Sequence, residues 1–247
     1  MQQILFADPN NIHKKLDNLG DPLIMLSDNI PWGDFRLLIK KARNKLKKSP
    51  AGRKPLDEIL LFKSLILGSL YNLSDEQLEY QIQDRISFQR FLGLTLECRA
   101  PDRTTIWLFR EMLTKSGMLE KLFEKFNNYL NKQGYKAKEG QIIDARIIEV
   151  PKQRNTRDEN QQIKSGETPE QWSKNKSRQK DTQARWTKKN NKNFYGYKNH
   201  ICVDKKYKFI RRHKVTDAST HDSQAFCNIV DPNNTSADLY ADSAYRS

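Results

Sequence analysis

Two aspartates, Asp144 and Asp242, carry the chemistry most plainly. Asp144 interrupts Gln141-Ile-Ile-Asp-Ala-Arg-Ile-Ile-Glu-Val150, a nearly continuous β-branched run of the kind found in a strand buried on both faces of a sheet. A lone carboxylate there costs on the order of several kcal/mol unless it is paired or binds a cation. Arg146, two residues on and on the same side of the strand, offers the pairing. A divalent cation is the other way to satisfy it. Asp242 closes a second strand-like run, Ala237-Asp-Leu-Tyr-Ala-Asp242, and strand ends are where α/β sheets place their sites. Two such carboxylates on neighbouring strands make sense together if they share Mg2+, which takes oxygen ligands and is commonly held by one or two carboxylates plus substrate phosphate. In a basic chain this suggests phosphodiester chemistry, in which two metals roughly 4 Å apart serve the attacking and leaving oxygens.

The elements that must hold these residues follow from the surrounding sequence. Phe194 to Asp204 and Lys208 to Thr216 are two strand-like runs separated by Lys205-Lys206-Tyr207, which predicts a hairpin. Thr220-His221-Asp222 supplies a helix N-cap, Ser223 to Val230 a short helix, and Pro232-Asn233-Asn234 a turn before the Asp242 strand. The predicted order is strand, hairpin, helix, strand.

The first half reads as helices. From Pro55, PLDEILLFKSLILGSLYNL is too dense in apolar residues for a surface helix and too short for a membrane span, which makes it the central helix of a helical domain with Pro55 at its first position. Ser74 caps the next helix with Gln77 three residues on, and its apolar face continues to Gly93. Pro101-Asp102 opens another helix, Gly117 breaks it, and the resumed spacing stops at Gly134. Lys40, Lys41, Arg43, Lys45, Lys47 and Lys48 suit either a DNA-binding head or a solvated face.

Composition narrows the partner. The 247 residues carry 44 Lys+Arg against 30 Asp+Glu, a formal charge of +14, and nucleic acid is the commonest partner with repeated negative charge. Residues 152–192 hold 12 Lys/Arg against 5 Asp/Glu with almost no aliphatic residues, and read as a basic polar insertion, a loop and not core. Within it, Trp172 and Trp186 either stack on bases or pack the loop down. No apolar run approaches the roughly 20 residues of a membrane span and no signal peptide opens the chain, so a soluble, unexported protein is expected. Cys98, Cys202 and Cys227 show no metal spacing and read as buried thiols in a reducing cytoplasm.

The chain resembles the IS5-type bacterial insertion-sequence transposases, which act through an Asp-Asp-Glu triad. The resemblance runs through GRKPLDEILLFKSLILGSLYNLSDEQLEYQIQDRISFQRFLGL and PDRTTIWLFREML, then GQIIDARIIEVPKQRNTRDEN, FYGYKNHICVD, VTDASTHDSQ and YADSAYRS. It implies α + α/β organisation: an all-helical N-terminal DNA-binding domain over 1–138, then an incomplete ribonuclease-H-like mixed-sheet domain over 139–247. Asp144 matches the family's first acidic residue and Asp242 its second, while the third, a Glu on a later helix, has no counterpart before Ser247. A chain truncated before that Glu is expected to be inactive alone.

For the intact enzyme the resemblance implies Mg2+ (or Mn2+) at these carboxylates, hydrolysis at the element's end, and attack of the freed 3′-hydroxyl on target DNA. Its partners would be double-stranded DNA, as terminal inverted repeats and target, and further copies of the chain, in a bacterial cytoplasm at the nucleoid. Lys198, His200, Arg211, Arg212 and Arg246 flank the candidate strands and read either as phosphate contacts or as a solvated hairpin face. For His200 and His221 capping or packing is favoured over a general base, which a metal mechanism does not need. The alternatives to the transposase are a non-catalytic DNA-binding product that inhibits transposition, and a basic RNA-binding or RNase-H-type nuclease.

Overall fold

The computed structural model describes residues 9–43, 55–95, 98–151, 153 and 155–245. Two compact units divide it, Met1–Phe126 and Asn127–Ser247, so the division falls earlier than residue 138 and inside a helix. Among the described residues no helix is long and apolar enough to cross a membrane.

In the first unit the described elements are helices: α1 Pro9–Asn18, α2 Pro22–Asn29, α3 Trp32–Arg43, α4 Glu58–Leu70, α5 Asp75–Asp84, α6 Ile86–Leu92, α7 Arg103–Lys115 and the start of α8 Met118–Lys132. Helix α4 begins later than the sequence predicts. Asp57 Oδ1 accepts the N–H groups of Ile59 and Leu60, and this cap, not Pro55, sets the first turn. The expected Ser74–Gln77 capping box is present at α5, Asp102 caps α7, and Gly93 ends α6 in the left-handed conformation. Ile39, Leu67, Leu78, Ile82, Phe88, Ile106 and Leu113 are all within 1% of complete burial and form one core. Arg43 is tied to Glu58 and the Leu56 carbonyl, while Lys45, Lys47 and Lys48 lie outside the described residues.

The second unit is a five-stranded mixed sheet: β1 Gln141–Glu149, β2 Arg185–Lys189, β3 Lys192–Asp204, β4 Ile210–Asp217 and β5 Leu239–Ala241. Strand β3 runs antiparallel to β1, to β2 and to β4, and β5 lies parallel to β1. The expected hairpin is β3–β4 and the expected helix is α11 Asp222–Ile229. That helix packs Ala225 and Ile229 toward Ile143, Cys202 and Tyr245. One sheet face is therefore covered, and β1 is not buried on both faces as its sequence suggests. Ile143 is 2% exposed, whereas Ile148, of opposite parity, is 45% exposed.

Residues 152–192 hold more structure than the predicted loop: α9 Arg157–Lys164, α10 Lys174–Gln179 and β2. Polar contacts replace an aliphatic core here. A capping box joins Thr156 and Glu159, and Trp172 Nε1 donates to Glu159 Oε1 at 2.7 Å. The Trp172 bond first, then the Thr156 N–H and Lys176, pull the Glu159 carboxyl down to about 2. Asn190 and Asn191, both at positive φ, make the tight β2–β3 turn. Of the three cysteines only Cys202 is buried, its thiol pushed up to about 11 by burial. Cys98 and Cys227 are exposed, Cys227 because it sits on α11 two residues from each of the buried Ala225 and Ile229, off the face they share.

Candidate active site on the sheet

Strand pairing brings the two predicted aspartates together. The parallel β1–β5 register runs Gln141 opposite Leu239, Ile142 opposite Tyr240 and Ile143 opposite Ala241. One further step sets Asp144 beside Asp242, on strands about 4.8 Å apart. Close approach at the start of this pair requires Gly140, whose φ is +95°. A Cβ there would lie 2.8 Å from both Cβ and the carbonyl oxygen of Asp238.

Asp144 is exposed, on the face away from α11, so the desolvation problem its sequence poses does not arise. Arg146 forms no ion pair with it among the described residues. Asp144 Oδ1 accepts the N–H of Ala145 at 2.8 Å, and Asp242 Oδ1 accepts the Ser243 hydroxyl at 3.1 Å. Neither Oδ2 has a protein partner among the described residues. Two all-oxygen, solvent-facing carboxylates at adjacent positions fit a hard divalent cation. No group of three or more His, Cys, Asp or Glu that could hold a metal ion is present among the described residues.

Behind the pair, the 3-10 turn Ser243–Tyr245 follows Asp242 directly and buries Tyr245 against α11. His200 Nδ1 lies 3.1 Å from the Tyr245 hydroxyl and Nε2 lies 3.0 Å from Thr216 Oγ1. Burial pushes the Tyr245 phenol well above its ordinary range, and the charges of Asp222, Asp144 and Asp242 add to this. Sequence reasoning missed Asp222 and Tyr245. Asp222 reads there only as part of a cap, and it is the first residue of α11, paired to Lys198 at 2.9 Å.

Three of the predicted phosphate contacts are engaged within the fold. His200 is fully buried, and desolvation lowers its pKa. Lys198 holds Asp222 and the Thr220 carbonyl. Arg211 is buried, with Nε donating to Asp204 Oδ1 at 2.9 Å. Arg212 is half-buried on β4, and Arg246 lies outside the described residues. His221 caps α11, as favoured from the sequence, its Nδ1 accepting the Ser223 N–H.

The mixed sheet thus carries α11 on one face and, on the other, Asp144 within β1 beside Asp242 just after β5. Residues 10–112 match a transposase domain family (DUF772), and residues 135–247 match the transposase DDE domain. The two matches follow one another along the chain and together support an insertion-sequence transposase. No solved structure matches the chain at a significant level.

Proposed function

We propose that the chain acts on insertion-sequence ends of the IS5 type, with Asp144 and Asp242 as the catalytic carboxylates of the DNA-cutting step. The observation that supports this is the β1–β5 register, which sets the two side chains side by side and exposed. Asp144 and Asp242 would hold Mg2+ or Mn2+, which would lower the cost of forming the attacking and leaving oxyanions. The protein's own work is positioning: β1 and β5 fix the spacing of the carboxylates, and Tyr245, wedged beneath on His200, holds the turn that carries Asp242. Duplex DNA is the partner, and self-association on two ends is part of the reading.

The test is Mg2+-dependent strand cleavage of duplex DNA bearing the element's ends, by the chain supplied with the family's third acidic residue, a Glu on a later helix, and by Asp144→Asn in the same background. Cleavage is lost in the variant while gel-shift affinity stays within twofold. Cleavage that survives Asp144→Asn refutes the assignment. A second reading, an end-binding product that does not cut, is favoured by the helical unit's own core over residues 23–122. It prevails if the chain supplied with that Glu discriminates terminal-repeat from random DNA at matched salt yet cleaves neither.

A further inference from the structure

Trp172 and Trp186 look alike in the sequence and end up in opposite surroundings. Trp172 is 7% exposed and seals the α9–α10 segment, with the Lys176 and Lys180 ammonium groups over its ring. Trp186 on β2 is 50% exposed and tilts against Tyr195, ring centroids 5.1 Å apart. It lines a cleft of about 420 Å³ together with Lys164, Arg185, Asn160, Asp181 and Tyr195. The same indole also borders a second hollow of about 320 Å³ that includes Lys188. An aromatic wall with an amide and cations around it has the chemistry of a nucleotide: a π-face for the base, a hydrogen-bonding edge and positive charge for phosphate.

Among the described residues, the one acidic group lining the cleft is already committed. Asp181 accepts the Tyr197 hydroxyl at 2.7 and 2.9 Å and the N–H groups of Gln183 and Ala184. Its charge is spread over these donors and does not stand against an incoming phosphate alone. The register then relates this cleft to the carboxylates. Trp186 pairs with Tyr195, Tyr195 and Ile201 alternate onto one face of β3, and Ile201 pairs with Asp144. Trp186 and Asp144 therefore share a sheet face, six residues apart along β3, or about 20 Å.

We propose that the Trp186 cleft binds an unstacked nucleobase and its adjoining phosphate, so that a DNA strand held there runs on toward Asp144. This rests on the reading of the protein as one that acts on DNA, and it adds a requirement that the strand be locally unpaired.

The experiment measures binding of the full chain to three fluorescently labelled DNAs at one ionic strength: a matched duplex, the same duplex with one unpaired adenine, and a four-nucleotide single strand of deoxyadenosine. The expected result is a preference for the unpaired duplex over the matched one of about fivefold or more, the least that stacking one base contributes. Trp186→Ala abolishes the preference and leaves matched-duplex affinity within twofold, whereas Trp186→Phe keeps most of it. A wild-type chain that binds both duplexes equally, or a preference untouched by Trp186→Ala, overturns the inference while leaving DNA binding intact. Trp186-dependent binding of the single strand without any duplex binding supports the cleft and instead overturns the action on duplex ends. Failure to bind all three DNAs overturns both.

Discussion

Arg211→Ala separates two readings of one residue. In the sequence Arg211 is a candidate phosphate contact, and in the structure it is a buried strut. Its side chain is 4% exposed and that of Asp204 is 0% exposed. Besides the Nε bond to Asp204, its guanidinium donates to the Tyr135 carbonyl at 2.5 Å and to Asn131 Oδ1 at 3.4 Å. Asp204 Oδ2 additionally accepts the Tyr207 N–H at 2.6 Å. Removing the guanidinium leaves an enclosed carboxylate with that single donor and an orphaned carbonyl. Breaking a buried pair from one side costs about 3–5 kcal/mol. At roughly 3–5 °C per kcal/mol for a domain of this size, the sheet unit should melt about 10–20 °C lower. Arg211→Lys keeps the charge but not the planar fork, and should fall between the two. Calorimetry of the full chain reads the shift, and a salt titration of DNA affinity reads the alternative. A melting shift under about 3 °C, accompanied by a salt slope reduced by about one unit as expected for a lost phosphate contact, would refute the structural role.

Gly140→Ala should destabilise the sheet unit by about 2–4 kcal/mol, from positive-φ strain plus a backbone clash at Asp238, and a variant melting within 2 °C of wild type would count against the tight β1–β5 junction. DNA cleavage should fall further than stability accounts for, because the same junction sets the Asp144–Asp242 spacing. Burial lowers the His200 pKa, so the unfolded chain takes up its proton first and stability declines as pH drops below the ordinary imidazole value of about 6.5. The melting temperature should hold above that pH and fall below it, and His200→Gln should flatten the decline. An equal slope in the variant would assign the titration elsewhere.

Much of this molecule is local and therefore legible in the sequence. The capping box at Ser74–Gln77, the Asp102 cap and the β3–β4 hairpin depend on residues a few positions apart, and they stand as read. The two aspartates could be picked out because a carboxylate at the end or middle of an apolar strand demands a reason. Strand alternation also determines which residues share a face. What alternation leaves open is which face meets the rest of the protein. Both parities of β1 carry isoleucines, Ile143 and Ile147 on one and Ile142 and Ile148 on the other, and the seating of α11 decides that Ile143 is buried and Asp144 is open to solvent. Other non-local contacts enclose His200, beside Tyr245 and Thr216, and Arg211, beside Asp204, Asn131 and Tyr135, where composition suggested contacts to DNA, and bury Trp172 while leaving Trp186 half exposed within one basic segment. Burial depends on what is brought opposite a side chain from distant parts of the chain, and that is set by the tertiary structure alone.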